Sequence, residues 1–246
     1  MNRRLSQPPV DDVAADLRNI SGALRLLFLL GLGIVVLFLI FWSDSVRDHP
    51  FTEQGPTEIC QTVLLTVSTI VFFLEARRRP DMRGALILAG GFFGCMLIRE
   101  QDYYFDMIAH GCWKWPAIML ALVCLRPAVS SLKNTLVGLS AFVRWRYFPV
   151  LLTGVIIVLA YSRLFGMGMI WTTLLPDADA RMAKNAIEES SELLGYLLIC
   201  FSALLLRFEK NNSRSQHIPA SGPTPGTHKN MKTCAPARPD LPPASS

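Results

Sequence analysis

The sequence predicts an all-α integral membrane protein, a bundle of six transmembrane helices with the N- and C-termini in the cytoplasm. Hydrophobic residues occupy 51% of the 246 positions and the mean hydropathy is +0.35, too apolar for an ordinary soluble domain. Charged residues make up only 17% of the chain and fall in clusters. Between these clusters lie six apolar segments of about the length that a helix needs to cross a bilayer, roughly 20 residues.

The six predicted spans follow one another through short connections. They cover residues 21–42, 57–74, 84–105, 113–132, 147–161 and 187–206. No small-residue cleavage site follows the long apolar core of the first span, so we expect an uncleaved anchor. The fourth span is interrupted by Arg126-Pro127, and the fifth can extend slightly beyond Tyr161. Residues 164–175 are apolar but too few to span, which predicts an interfacial or re-entrant piece.

Basic residues indicate how these spans are oriented, because Lys and Arg concentrate in cytoplasmic loops. Of the 24 basic residues, 18 lie in residues 1–25, in residues 75–83, in residues 126–146 and in the tail from Arg207. Only six lie in the intervening segments, so loops with many basic residues alternate with loops that have few along the whole chain. Both termini are therefore predicted to be cytoplasmic, and we expect the chain in a bacterial inner membrane.

Three regions follow from this map: a cytoplasmic segment 1–20, a six-helix transmembrane domain 21–207 and a Pro-rich cytoplasmic tail 208–246. The tail holds seven of the 16 prolines and almost no large apolar side chains, which predicts disorder. Its Pro-Thr-Pro and Leu-Pro-Pro runs could dock a protein partner as a polyproline helix. The net charge of +5 does not require a nucleic-acid partner, because basic loops are attracted to anionic lipid. The predicted partner is the lipid bilayer.

Two helix surfaces are suited to packing. Residues 131–145 have the pattern of a helix that lies in the plane of the interface. Its apolar positions at helical spacing are Leu132, Leu136, Leu139 and Val143. In the third span, Gly90, Gly91 and Gly94 form a face of small residues that lets another helix approach closely.

Acidic side chains gather at the outward ends of three predicted spans. With this topology, 12 of the 19 acidic residues face outward. They precede the second span, follow the third and begin the sixth, so three helices bring carboxylates to a similar depth. A charge inside a bilayer costs about 3 kcal/mol and persists where a partner, a water cavity or a function requires it. The predicted outward-facing polar pocket consists of Glu58, Arg99, Glu100, Asp102, Asp106, His110, Glu189 and Glu192.

The residues after the third span allow a more specific hypothesis. A helix that continues past Ile98 would place side chains three or four positions apart on one stripe. That stripe would contain Arg99, Asp102, Asp106 and His110. Carboxylates and an imidazole on successive turns can share a cation or relay a proton. Asp106 and His110 are accordingly the candidate metal ligands, and no cofactor is assigned.

A structural explanation competes with this functional one. Glu58, Glu188 and Glu189 lie in the predicted first turns of their helices, where an acid favours the helix dipole and can cap. Arg99 and Arg163 offer ion-pair partners that would neutralise the acids. The aromatic residues around Tyr103 are typical of a belt at the lipid boundary, where a charge costs little. Both explanations remain open from the sequence.

Two motifs resemble sequence patterns of known membrane proteins. Glu53-Gln-Gly-Pro-Thr-Glu58 together with Ile98-Arg-Glu-Gln-Asp102 resembles a pattern in uncharacterised bacterial multi-pass inner-membrane proteins, over residues 50–110. This resemblance implies a membrane location and no defined activity. The chain is more remotely similar to membrane hydrolases related to alkaline ceramidases, which combine intramembrane acids with metal-binding histidines. The predicted sixth span carries three glutamates where those enzymes have a histidine pair.

An outward-facing acidic pocket predicts the binding of a cation, a proton or a small polar ligand, because these offset the repulsion between clustered carboxylates. The leading hypothesis is a multi-pass membrane protein for cation- or proton-linked transport or sensing. One alternative is a membrane-embedded, metal-dependent lipid hydrolase with Asp106, His110 and a glutamate as ligands. Another is a membrane scaffold that acts through its cytoplasmic tail. The chain has no phosphate-binding loop and no hydrolase fingerprint, so catalytic residues are not assigned.

Overall fold

The computed structural model describes residues 10–47 and 55–209, and the regular elements in these residues are all helices. They are α1 (Val10–Ser45), α2 (Pro56–Arg78), α3 (Arg83–Glu100), α4 (Asp102–Asp106), α5 (Lys114–Ser130), α6 (Leu132–Val143), α7 (Phe148–Ile156), a π-helical turn (Ile157–Tyr161), α8 (Ser162–Phe165), α9 (Gly168–Leu174) and α10 (Asp177–Phe208). The tail from residue 210 on, and with it the predicted disorder, lies outside the described residues.

Four stretches of helix are long and apolar enough to cross a membrane. They are Asp16–Ser45, Pro56–Arg78, Phe148–Phe165 and Asp179–Phe208. A fifth candidate arises if α5 and α6, which meet at a bend of 104°, form one broken span. The all-helical fold agrees with the prediction, and these four to five candidate spans are those of a multi-pass membrane protein.

The third predicted span is a shorter helix than the sequence suggested. The prediction placed one helix over residues 84–105, but α3 ends at Glu100 and Gln101 separates it from α4. The 18 residues of α3 include Arg83, Arg99 and Glu100, which lowers its apolar character. The prediction that Arg99, Asp102, Asp106 and His110 form a stripe on one continuous helix was therefore wrong, because the helix breaks after Glu100.

The core lies between α2, α3 and α10, and α7 adds to it. Its fully buried apolar side chains include Leu65, Phe72, Leu86, Phe93, Ile199 and Leu206. The rings of Phe72 and Phe93 stack with centroids 5.2 Å apart, which joins α2 to α3. By contrast, α1 leaves large side chains such as Leu27, Phe28 and Phe38 mostly exposed. An apolar helix with so little protein around it is suited to face lipid.

The small face of α3 packs as predicted. A Cβ atom added to Gly91 would lie 2.7 Å from Cβ of Cys124, and one added to Gly94 would lie 2.7 Å from Cδ2 of Leu120. Both neighbours belong to α5, so these glycines let α3 and α5 approach more closely than a larger residue would permit. The prediction of a helix–helix contact at this face is confirmed.

The amphipathic pattern of residues 131–145 corresponds to α6. Its four apolar positions at helical spacing are exposed, and its opposite side buries Thr135, Gly138 and Phe142. Residues 164–175 fold into the end of α8 and the seven-residue α9, which is too short to cross a bilayer. The helix predicted over residues 131–145 is thus confirmed as α6, and the interfacial or re-entrant location of residues 164–175 stays a prediction.

Candidate functional site

Three glutamates of α10 occupy the centre of a polar network. Because α10 begins at Asp177, Glu188 and Glu189 lie about three turns inside the helix rather than in its first turn. Capping by these two residues was therefore a wrong interpretation. An acid this far from the helix end gains little from the dipole, which acts within the first turn. Their side-chain partners must be found elsewhere in the fold.

Arg163 of α8 pairs with two of these glutamates. Its Nη2 lies 2.8 Å from Oε1 of Glu192, and its Nη1 lies 2.8 Å from Oε1 of Glu188. Glu192 is buried and also accepts a hydrogen bond from the Ser162 hydroxyl at 3.3 Å. Lys184, one turn before Glu188, lies 3.4 Å from its Oε2. The planar guanidinium thus joins α8 to α10 through two carboxylates.

Glu100, the last residue of α3, turns inward to α10. Its Oε1 accepts the hydroxyl of Tyr196 at 2.8 Å and lies 2.8 Å from Nη2 of Arg99. Tyr196 is fully buried, and a buried hydroxyl without a hydrogen-bond partner would be costly. Glu100 supplies that partner. The next residue, Gln101, donates to the hydroxyl of Thr62 on α2 at 2.9 Å. The end of α3 is therefore tied to both α10 and α2.

Glu189 faces α2 and has a different environment. Its Oε2 accepts the side-chain amide of Gln61 at 2.8 Å, and the same amide lies 3.2 Å from the Glu189 carbonyl. No lysine, arginine or histidine of the described chain forms an ion pair with Glu189. The charged groups that act on it most strongly are other acids, Glu100, Glu188 and Asp44. Glu189 is thus a largely enclosed carboxylate that forms no ion pair among the described residues.

Glu58 lies on the side of α2 next to α3 and α4. It lines a groove together with Thr62, Gln101 and Tyr104. This position brings it to the same end of the bundle as Glu100 and Glu189. We call this end the acidic end, defined by Asp44, Glu58, Glu100, Glu189 and Glu192.

Asp102, Asp106 and His110 do not join the network. Asp106 Oδ1 accepts the backbone N–H of Gly111 at 2.7 Å, and its Oδ2 lies 3.0 Å from Nδ1 of His110. The Gly111 N–H and then the His110 ring hold the pKa of Asp106 below its usual value. Gly111 has φ 75°, which suits glycine, and the motif closes a turn. Asp102 is exposed on α4.

The candidate metal ligands Asp106 and His110 do contact each other, but they form an exposed pair. The His110 side chain is 98% exposed. Within the described residues, no group of three or more His, Cys, Asp and Glu side chains is arranged to hold a metal ion. The pair supplies two ligands at most, and one oxygen of Asp106 is already bonded to the Gly111 N–H. This geometry is that of a loop cap.

Several residues of the acidic end were missed by the sequence prediction. They are Asp44, Thr57, Gln61, Ser162 and Tyr196. Tyr196 lies four residues after Glu192 on the same face of α10, so helical spacing could have found it. Gln61 and Asp44 gave no comparable signal, because their roles depend on which helices become neighbours.

A second network lies at the opposite end of the bundle. Glu75 of α2 is buried and its Oε1 lies 2.9 Å from Nη1 of Arg207 on α10. Arg79 lies 3.2 Å from the other oxygen of Glu75 and donates to the carbonyl of Leu206. Glu209 accepts the indole N–H of Trp145 at 2.8 Å. Every charge in this network has an opposite charge or a hydrogen-bond partner, so the network fits a structural role that joins α2 to α10.

The described residues form an all-helical fold with four to five candidate membrane spans, compatible with a multi-pass membrane protein, and with a cluster of acids at one end. Comparisons with models of protein families, with curated proteins and with solved structures find no match.

Proposed function

We propose that the acidic end takes up and releases a proton or a cation, as part of transport or sensing by a multi-pass inner-membrane protein. The observation that carries this proposal is the environment of Glu189. Its carboxylate is largely enclosed and has acids as its charged neighbours, and its side-chain partner is the neutral amide of Gln61. An enclosed carboxylate in such surroundings is neutralised by an ion that can come and go.

The balance of charge in the cluster supports the same proposal. The network includes the acids Asp44, Glu100, Glu188, Glu189 and Glu192, and the bases that pair with them in the described chain are Arg99, Arg163 and Lys184. An excess of enclosed negative charge attracts a positive ion. A structural ion-pair cluster would be expected to balance its charges more closely, as the network around Glu75 does.

The contacts of the cluster provide a route from ion uptake to a change in shape. Glu189 bonds to α2, Glu100 links α3 to α10, and Glu192 links α10 to α8. Neutralising one carboxylate would weaken or reorganise bonds between helices. A switch of this kind requires a difference in free energy between two arrangements of the helices, and the ion would supply it.

The membrane arrangement is part of this proposal. We propose six crossings, made by α1, α2, α3, α5 with α6, α7 with α8, and α10. Supporting this count, α3 contacts both α2 and α5, and Glu100 at its C-terminal end pairs with Arg99 and Tyr196. An even number of crossings puts both termini on the same side of the membrane. With both termini in the cytoplasm, as the sequence predicts, the acidic end would lie outside.

Infrared difference spectroscopy of the full chain in lipid vesicles tests the role of Glu189. Between mildly alkaline and mildly acidic buffer, the wild type is expected to convert a carboxylate band into a carboxylic-acid band. The variant Glu189→Gln should lack that pair of bands, because its amide cannot take up a proton.

The matched control is Glu188→Gln, one residue away on the same helix. Its carboxylate is paired with Arg163 and Lys184, so the band assigned to Glu189 should persist in this variant. A wild-type spectrum that does not change between the two buffers, or an unchanged pair of bands in Glu189→Gln, would contradict proton uptake at this position. Circular dichroism would check that both variants remain helical.

A further inference from the structure

Two buried oxygen atoms without partners lie where the end of α1 meets the start of α2. Asp44 is fully buried; its Oδ2 accepts the backbone N–H of Thr57 at 3.4 Å, and its Oδ1 has no hydrogen-bond partner among the described residues. The hydroxyl oxygen of Thr57, which is 1% exposed, also has none. Buried polar atoms are nearly always paired, so two such atoms on residues in contact point to a missing partner.

The charges around Asp44 indicate that this partner is positive. Asp44 forms no ion pair within the described chain, and the last turn of α1 contains no basic residue. The nearest basic residue in the sequence, Arg47, is exposed. The C-terminal end of a helix carries partial negative charge, which adds to that of the carboxylate. Asp44 bonds to Thr57, and Gln61, one turn further along α2, bonds to Glu189, so the two carboxylates lie near each other. A water molecule would pair the oxygens but leave this charge uncompensated.

The ligand atoms favour a monovalent metal cation. They are all oxygens, which suits a hard ion. Asp44 supplies a carboxylate oxygen without a partner among the described residues, and Thr57 supplies a neutral hydroxyl. Sites for Ca²⁺ and Mg²⁺ commonly use several carboxylates or bound phosphates, whereas helix C-terminal carbonyls with few charges bind Na⁺ in membrane transporters. In the last turn of α1 the carbonyls of Trp42 and Asp44 already accept backbone N–H groups, but a carbonyl oxygen has two lone pairs and can also bind a cation.

We propose that Asp44 Oδ1 and Thr57 Oγ1 bind a sodium-sized cation at the junction of α1 and α2. This inference rests on the proposed function and names one of its ions. Because Glu189 is near Asp44, a cation bound there stabilises the negative charge of Glu189. Sodium occupancy and the protonation of Glu189 are therefore coupled, and each binding event alters the other by the same factor.

The thermal stability of the full chain in detergent tests this site with sodium chloride, potassium chloride and choline chloride at equal ionic strength. A ligand that binds the folded state raises Tm. Sodium is expected to raise the Tm of the wild type above its value in potassium or choline. The rise should be lost in Asp44→Asn and reduced in Thr57→Val, and both variants should keep a wild-type circular dichroism spectrum.

Thr69→Val is the matched control, since Thr69 is on the same helix and its hydroxyl already donates to the Leu65 carbonyl at 2.8 Å. Its sodium response should equal that of the wild type. The proposal is overturned if sodium acts no better than potassium or choline, or if Thr57→Val and Thr69→Val respond alike. If Glu189 still titrates in the infrared experiment, only the sodium site fails. If sodium does not raise Tm and Glu189 does not titrate in the infrared experiment, the proposed function fails as well.

Discussion

The three glutamates of α10 have different environments although they lie within a stretch of five residues. Glu188 and Glu192, one turn apart, share Arg163, whereas Glu189 points to Gln61 on another helix. The rotation of about 100° per residue separates neighbours in the sequence onto different faces. The same residue type therefore serves as an ion-pair partner on one face and, in our proposal, as an ion acceptor on the next.

At the same scale, Asp106 should stabilise its loop in a pH-dependent way. The Gly111 N–H and then His110 hold its pKa below the usual value. A group whose pKa is lowered by folding stabilises the folded loop above the pKa of the unfolded state. That contribution is lost as the pH falls through the lowered, folded value. We expect the Gly111 amide to be protected from hydrogen exchange at neutral pH and to lose this protection in acid.

Hydrogen exchange followed by mass spectrometry would measure this effect on the peptide that contains Gly111. The variant Asp106→Asn should lose protection at neutral pH as well. Asp102→Asn is the control, since Asp102 is exposed on the same short helix. Equal exchange in the two variants at neutral pH would refute the capping role of Asp106.

At the scale of the elements, helix boundaries deviate from the prediction where hydropathy is a poor guide. The polar segment 177–186 before the last predicted span belongs to α10, because Ala, Met, Lys and Arg are good helix formers whether or not lipid is present. Conversely, α3 ends at Glu100, before Tyr103, Tyr104 and Phe105, which the prediction had included in the third span. Hydropathy detects which residues suit lipid, whereas helix propensity and packing decide where a helix begins and ends.

The crossing of α3 and α5 allows a quantitative prediction at this scale. Gly91→Ala would put a methyl group against Cβ of Cys124 and should destabilise the protein by about 1–3 kcal/mol. Gly31→Ala on α1 is the control, because no atom lies within 4 Å of its added Cβ. That variant should be neutral or slightly stabilised. Thermal unfolding in detergent would compare the two, and equal Tm values would disprove the close contact.

At the scale of the whole molecule, α2 and α10 are joined at both ends. Gln61 and Glu189 connect them at the acidic end, and Glu75, Arg79 and Arg207 connect them at the opposite end. Apolar packing of residues such as Phe72 lies between these connections. A change at the acidic end would therefore act on a pair of helices that remains anchored at its other end.

The proposed six-span topology can be tested with reporter fusions in bacterial cells. Alkaline phosphatase, which is active only outside the cytoplasm, is expected to be active when fused after His110. It should be inactive when fused after Pro80 or after Arg146, because the proposal puts both positions inside. The three fusions need comparable expression levels. Inactivity after His110 would mean that α3 does not cross the membrane, and activity after Pro80 would reverse the orientation.

The sequence by itself determined the helical class, the surfaces of α3 and α6, and those predicted spans that are candidate membrane helices in the structure, which the third predicted span is not. These features depend on local hydropathy and on the 3.6-residue period, which one segment carries on its own. It also identified five residues of the acidic network: Glu58, Arg99, Glu100, Glu189 and Glu192. It wrongly extended that network along a single helix through Asp102, Asp106 and His110.

Only the tertiary structure decided which acids have partners. The break after Glu100 turned Asp106 toward Gly111, and the packing of α2 and α8 against α10 brought Gln61 and Arg163 to its glutamates. Asp44 was buried by the junction of α1 and α2. Hydrogen bonds and ion pairs between residues far apart in the chain depend on distances of a few ångströms between helices. A pattern within one helix carries no information about those distances.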